Sequence, residues 1–184
     1  MSLDRHALID NAASTELARL DDLMLLVNQG VEDERDDLYA QGGDEDDGIE
    51  FYADEAHALT EVDSLFTQLA IVGLYAVVEI RTKSHLGAKA TPKELANAFK
   101  FAQTKALFAK YARRPLTKMP HYAAIDELRC LNNAVKHNAF VGKELARFSG
   151  WSLGDRIGDV RPIFARIRPL VPQYLSAVGH AIGV

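Results

Sequence analysis

The stretch Leu69–Ile80 (LAIVGLYAVVEI) decides the fold, because a helix with this sequence is apolar on nearly every side. The periodic pattern extends in both directions and predicts a helix from about Asp54 to Leu86, ended by Gly87. Such a helix is expected at the centre of the protein. Glu79 lies within it, and we predict a structural buried charge held in an ion pair rather than a catalytic carboxylate.

Three further helices are predicted around this central one, and no convincing strand pattern accompanies them. One covers about Leu3–Leu38. The next begins at Thr91, where proline follows and Glu94 completes a capping box, and it ends before Pro115. The last covers about His121–Phe148. Short connectors favour antiparallel neighbours, so the prediction is an all-α, four-helix antiparallel bundle.

The remaining sequence is predicted to extend this bundle without forming a second domain. A chain of 184 residues with 48% apolar content fits one folded domain, with a core bundle at about 3–148 and a C-terminal helical appendage at about 155–182. The acidic, glycine-rich segment Gln41–Gly48 is interpreted as a solvated connector. It does not fit a calcium-binding loop, because a central glycine at Gly48 would place Gly43 at the first ligand position.

Composition excludes several classes of protein and of site. A single cysteine, Cys130, rules out an intrachain disulfide and suits a reducing compartment. The apolar run Leu69–Val78 is about half of the ~20 residues that a membrane span needs, and no signal-peptide pattern is present, so a cytoplasmic protein without membrane contact is expected. Phosphate-binding loops and zinc-ligand spacings are missing from the sequence, so no metal or cofactor is predicted. Cys130 and His137 are about 10 Å apart along a helix, too far for a catalytic dyad.

Charge is distributed unevenly along the chain. Residues 1–80 contain 3 Lys/Arg and 20 Asp/Glu, whereas residues 81–184 contain 18 and 6. Two interpretations stay open: the basic half binds nucleic acid, or the acidic helices pack against the basic ones and their charges pair.

The polar stretch Leu131–Asn138 (LNNAVKHN) is the best functional lead, because consecutive asparagines are unusual inside a helix. On a helical wheel of the fourth helix, four basic residues are almost in line beside it. These residue types suit phosphate chemistry, in which cations neutralise phosphoryl oxygens, amides hold a hydroxyl and His137 moves a proton. The predicted catalytic residues are His137, Asn133 and Arg129, and the predicted nucleic-acid-binding residues are Asn132, Lys136, Lys143 and Arg147.

An all-helical bundle with Asn133 and His137 four residues apart resembles the HEPN superfamily (higher eukaryote and prokaryote nucleotide-binding domains). The family's arginine belongs at the position of Asn132, and the nearest arginine here is Arg129. The resemblance implies a metal-independent ribonuclease or an inactive RNA-binding relative, with binding easier to defend than cleavage. It also implies a homodimer that brings two copies of the fourth helix together, in a defence or toxin–antitoxin context with an antitoxin-like protein partner.

Two alternatives to this interpretation remain. In the first, the chain is a non-catalytic structural or protein-interaction module, which predicts that Arg129, Lys136 and Glu79 are engaged in internal ion pairs or a subunit interface. In the second, a small molecule binds between helices, which the sequence neither supports nor excludes.

Overall fold

The computed structural model describes residues 5–41, 49–112 and 114–183, and the fold over these ranges is all-α as predicted. No β-strand occurs among the described residues, where the only β-type pairing is an isolated bridge between Phe140 and Arg156. The connector predicted at Gln41–Gly48 lies outside the described residues from Gly42 onward.

Two long helices, α1 (Arg5–Gln41) and α2 (Ile49–Leu86), form an antiparallel hairpin. On α1 the buried side chains Leu17, Met24, Val31 and Leu38 recur every seven residues, so a single stripe faces the rest of the protein. On α2, Gly73 allows close approach, since a Cβ there would lie 2.8 Å from Cδ2 of Leu20.

The predicted third helix consists of two shorter ones, α3 (Pro92–Asn97) and α4 (Phe101–Tyr111). The capping box at Thr91 and Glu94 is confirmed. The two helices are separate because a second helix N-terminus begins at Lys100, which the continuous apolar spacing did not reveal. The backbone N–H of Lys100 donates to Oε1 of Gln103 at 2.9 Å, and this bond caps a new helix.

The predicted fourth helix ends early, because α5 spans only Tyr122–His137 and not the range to Phe148. Ala139 has a positive φ of 57°, and its N–H donates to the carbonyl of Ala134 at 2.9 Å, which closes the helix. Residues 139–157 then form turns held by backbone hydrogen bonds such as Ile157 N–H to Ala139 O at 2.7 Å. Leu145 is buried as predicted, but from a turn, so its helical spacing was misleading.

The segment predicted as an appendage belongs to the core. It contains α6 (Arg161–Ile167) and α7 (Val171–Ile182), and α7 packs against both α1 and α2. Tyr174, Leu175 and Val178 are almost completely buried. The apolar core therefore forms mainly between α1, α2, α5 and α7, with the short helices around them.

Ion pairs join the acidic half of the chain to the basic half. Glu16 on α1 accepts from Nε of Arg81 at 3.0 Å, Asp21 accepts from Nε of Arg168 at 3.0 Å, and the buried Asp63 lies 2.8 Å from Arg161. At least part of the charge asymmetry is thus used in packing, as the second interpretation of that asymmetry expects.

α2 is the central helix, as predicted, because it packs against α1, α4, α5, α6 and α7, but one of its faces is open to solvent. Val62, Leu65, Leu69 and Ile80 are each more than half exposed. Among the described helices, α2 is the one long and apolar enough to cross a membrane, with a mean hydropathy of 1.4 over its most apolar window, of which 44% is buried inside the protein. Core helices of proteins that never enter a membrane share this composition.

Candidate functional site

A groove lies where α5 ends and the following turns fold back beside it; we call it the α5 groove. Its cavity volume is about 310 Å³. Three of the seven residues predicted to form the catalytic and nucleic-acid-binding site line it, namely Asn133, His137 and Lys143. All three are exposed, and the first two are one turn apart on α5. The groove is also lined by Cys130, Glu144 and several apolar and backbone groups.

The remaining predicted catalytic residue, Arg129, has internal partners. Its Nε donates to Oδ1 of Asp126 at 2.7 Å, and its guanidinium also donates to Oε2 of Glu144 at 3.1 Å. The same group lies 4.8 Å from the centroid of the Phe101 ring. Desolvation lowers the pKa of Arg129, but the hydrogen bond and charge of Asp126 outweigh it and the pKa is raised. The side chain is only 12% exposed, and its contacts with Glu144 and Phe101 connect α5 to the following turns and to α4.

The predicted line of four basic residues is wrong, because it required one helix reaching Arg147. Lys143 and Arg147 lie in the turns after α5. Arg147 pairs with Asp126 and stacks on Phe148, with its guanidinium carbon 4.9 Å from the ring centroid. Lys136 is exposed on α5 but does not line the α5 groove.

Asn132 is buried, with 2% of its surface exposed. Its Nδ2 donates to Oδ1 of Asn133 at 3.3 Å. This position therefore orients its neighbour, whereas contact with a bound nucleic acid would require exposure.

Glu79 forms the predicted ion pair, with Nζ of Lys83 2.7 Å from Oε1. The prediction of burial is wrong, because the Glu79 side chain is 40% exposed. The reason is the solvent-open face of α2, which this residue borders.

Cys130 lines the α5 groove from a buried position. Burial is the main cause that raises the pKa of its thiol, and Arg129 opposes this only partly. A thiol held protonated is a poor nucleophile.

Two groups of functional interest were missed in the sequence. In the first, the adjacent carboxylates Asp126 and Glu127 are both buried on α5. Oε1 of Glu127 accepts from Nε1 of Trp151 at 3.0 Å and from Arg166 at 2.7 Å. Helical spacing gave little signal for them, because adjacent residues point about 100° apart and Asp126 lies on the side of α5 away from Leu128 and Leu131.

The second missed group contains residues that could hold a metal ion: His6, Asp10 and His85. His6 and Asp10 are four residues apart on α1, a spacing that places both on one helical face. His85 is distant in sequence, so only the fold brings the three together.

Searches with this chain against protein-family models, curated proteins and solved structures return no match. The class that the fold defines is thus an all-helical protein built on a long hairpin, and the likeness to the HEPN superfamily stays a prediction.

Proposed function

We propose that this protein is a non-catalytic interaction module that acts as a homodimer through the solvent-open face of α2. The observation behind the proposal is an apolar seam along that face. Its members alternate in spacing between three and four residues, the pattern by which one helix packs along another. This outer seam consists of Ala58, Val62, Leu65, Leu69, Val72 and Ala76.

Exposure supports a missing partner at the outer seam. Val62, Leu65 and Leu69 are 53%, 59% and 54% exposed, whereas Ile71 and Leu74 on the opposite side of α2 are completely buried. Hydration of this seam is unfavourable in the monomer, and covering it with a second apolar face would be favourable.

Charge complementarity favours a second copy in antiparallel orientation. Continuing the heptad pattern reaches Glu55 toward one end of α2 and Lys83 toward the other, each fourteen residues from Leu69. An antiparallel pair centred on Leu69 would place Glu55 of one copy beside Lys83 of the other, twice. A parallel pair would instead oppose like charges at both positions.

The available area suits a stable dimer. The outer seam from Glu55 to Lys83 is about 42 Å long at 1.5 Å per residue, and a helix is about 10 Å wide. On α1, Leu23 and Leu26 are also 47% and 65% exposed. The outer seam alone offers on the order of 400 Å² per copy, and a surface that also included these leucines of α1 would approach the roughly 800 Å² that each partner buries in a specific interface.

The experiment combines mass measurement with crosslinking. Light scattering is expected to give twice the 20.3 kDa chain mass for the wild type and a monomer for Leu65→Glu. The matched control is Leu153→Glu, at an exposed leucine in a loop, which should stay dimeric. In a Cys130→Ser background, Leu69→Cys should form an intermolecular disulfide on oxidation, and Leu153→Cys should not.

A charge swap tests the orientation. Glu55→Lys should weaken the dimer, and adding Lys83→Glu in the same chain should restore it in part, because both contacts are then reversed together while the pair of Lys83 with Glu79 is lost. A wild type that is monomeric at micromolar concentration, or a dimer indifferent to Leu65→Glu, would reject the proposal.

RNA association of the HEPN type is the second candidate, favoured by the grouping of Asn133, His137 and Lys143 around one groove. The two candidates differ in dimer geometry. The ribonuclease interpretation needs two copies of α5 together, whereas pairing through the outer seam brings two copies of α2 together. His137→Cys in the Cys130→Ser background should crosslink only in the first arrangement.

Activity gives an independent test of the RNA candidate. Cleavage of mixed RNA in the presence of a chelator should disappear in His137→Ala and persist in His57→Ala, an exposed histidine on α2 that does not line the α5 groove. Binding without cleavage should weaken steeply with salt, and less steeply after Lys143→Ala. Glu144 lines the same groove, and its negative charge opposes phosphate binding there. If the protein neither cuts nor binds RNA, this candidate is eliminated.

A further inference from the structure

Three potential metal ligands meet where α1 begins and α2 ends. His6 and Asp10 are one turn apart on α1, and His85 is in the last turn of α2. One ligand atom from each lies within 4.8 Å of the others. Nε2 of His6 is 3.5 Å from Oδ2 of Asp10, and Nε2 of His85 is 3.7 Å from Oδ1 of the same carboxylate.

These separations are close to those of a coordinated ion. Ligand atoms about 2.0–2.2 Å from a tetrahedral Zn²⁺ are roughly 3.4 Å apart. The two histidine–carboxylate distances run to different oxygens of Asp10, so binding one ion through a single oxygen requires the side chains to rotate and to close separations of up to 4.8 Å.

The third helix at this point leaves space for the two imidazole rings. Gly179 on α7 faces them, and a Cβ there would lie 2.4 Å from Cε1 of His6 and 2.8 Å from Cε1 of His85. Any larger residue would occupy the volume that the rings need. The absence of a side chain at Gly179 is therefore a second feature that fits a built site.

The ring of His180 packs edge-on against that of His6, with the two centroids 4.7 Å apart, but His180 is not part of the group of ligand atoms that lie within 4.8 Å of one another. Its Nδ1 is 2.7 Å from the carbonyl oxygen of Ser176, to which it donates.

We propose that His6, Asp10 and His85 bind one divalent transition-metal ion, with the fourth position taken by water. Two imidazoles with one carboxylate suit Zn²⁺, Co²⁺ or Ni²⁺, whereas Mg²⁺ and Ca²⁺ prefer oxygen ligands. The ion ties the start of α1 to the end of α2, next to the end of α7. The site is independent of the homodimer and of the α5 groove.

Titration of the chelator-treated full chain with Zn²⁺ tests the proposal. Calorimetry should give one ion per chain, and Co²⁺ should develop the visible absorption of a tetrahedral site. Asp10→Asn and His6→Ala should each weaken Zn²⁺ binding by at least about tenfold. Loss of a residue that only hydrogen-bonds a metal ligand already lowers affinity by this factor, and loss of the ligand itself should lower it further.

The matched control is His57→Ala, because His57 and Glu61 also form a histidine–carboxylate pair four residues apart, 3.8 Å from each other. That pair is 75% and 66% exposed and has no third ligand among the described residues, so its removal should leave Zn²⁺ binding unchanged. His85 is fully buried, so substituting it could unfold the protein. Asp10 and His6 are more exposed and are substituted instead, and circular dichroism should confirm that both variants fold. No saturable binding, or equal weakening by His57→Ala and Asp10→Asn, would overturn the proposal.

Discussion

Asp126 and Arg129 form an ion pair within one turn of α5, with Nε 2.7 Å from Oδ1 and both side chains almost nine-tenths buried. The second carboxylate oxygen of Asp126 accepts a hydrogen bond from Arg147, which lies in the turns after α5. One buried carboxylate thus holds two cations, and it fixes the wall of the α5 groove to α5.

Replacing this carboxylate should destabilise the protein strongly. Asp126→Asn removes the charge that compensates Arg129 inside the protein, and breaking a buried pair in this way costs about 3–5 kcal/mol. The free energy of unfolding, measured by urea denaturation, is expected to fall by an amount in that range.

Glu144→Gln is the control, because Glu144 contacts the same guanidinium but is 67% exposed. Its loss should cost no more than about 1 kcal/mol, as for other exposed ion pairs. Equal effects of the two substitutions would show that Asp126 does not stabilise the fold through Arg129.

Glu127 should control the position of the only tryptophan in the chain, Trp151. Its Oε1 accepts the indole N–H at 3.0 Å and also pairs with Arg166, so it connects α5 to the turns and to α6. Glu127→Gln is expected to shift the Trp151 emission to longer wavelength and to cost about 1–3 kcal/mol, because a buried charge-assisted bond is weakened.

Arg166→Gln provides the comparison for that result. It removes the half-exposed cation but leaves the bond to the indole, so the emission of Trp151 should change little. A red shift of the same size in both variants would mean that the ion pair, and not the indole bond, positions the tryptophan.

The sequence predicted the helical class and the capping box at Thr91 because these depend on local periodicity and local hydrogen bonds. It failed at the end of α5, because Leu145 continues the helical spacing although Ala139 has already left the helix in a left-handed conformation. Periodicity reports burial, and a turn can bury a leucine as well as a helix does.

The site was predictable only in part for the same reason. Asn133 and His137 are neighbours through helical geometry alone, and they do line one groove. The contacts of Arg129 with Glu144 and Phe101, and the approach of His85 to His6, depend on tertiary packing between segments separated in sequence. Residue types and spacing carry no information on such contacts.

Acid should weaken the junction between α3 and α4 through Glu94. The ion pair with Lys110 is the main cause that lowers the pKa of this carboxyl from 4.5 to about 2, and bonds from the backbone and side chain of Thr91 and from Tyr111 add to it. A folded-state pKa below the unfolded value gives stability that is complete above about pH 4.5 and is lost as the pH falls through about 2. Wild-type Tm should therefore drop more steeply over this interval than that of Glu94→Gln.

Lys110→Met is the companion variant, since it removes the largest cause and keeps Thr91 and Tyr111. Its acid dependence should lie between those of the wild type and Glu94→Gln. Identical pH profiles for all three proteins would show that Glu94 does not couple protonation to folding.

Two glycines on neighbouring helices should respond differently to alanine. In a helix interior, alanine is favoured over glycine by about 0.5–1 kcal/mol. At Gly73 a Cβ would meet only the end of the Leu20 side chain, at 2.8 Å, and that side chain can rotate away. Gly73→Ala is therefore expected to change the free energy of unfolding by less than about 1 kcal/mol.

At Gly179 the Cβ would instead meet the rings of His6 and His85, both stiff and packed among three helices, so overpacking should cost about 1–3 kcal/mol and outweigh the gain. Urea denaturation of both variants in the presence of a chelator isolates this packing effect from any bound ion. A neutral Gly179→Ala would mean that α7 can move away from the two histidines without losing its place in the core.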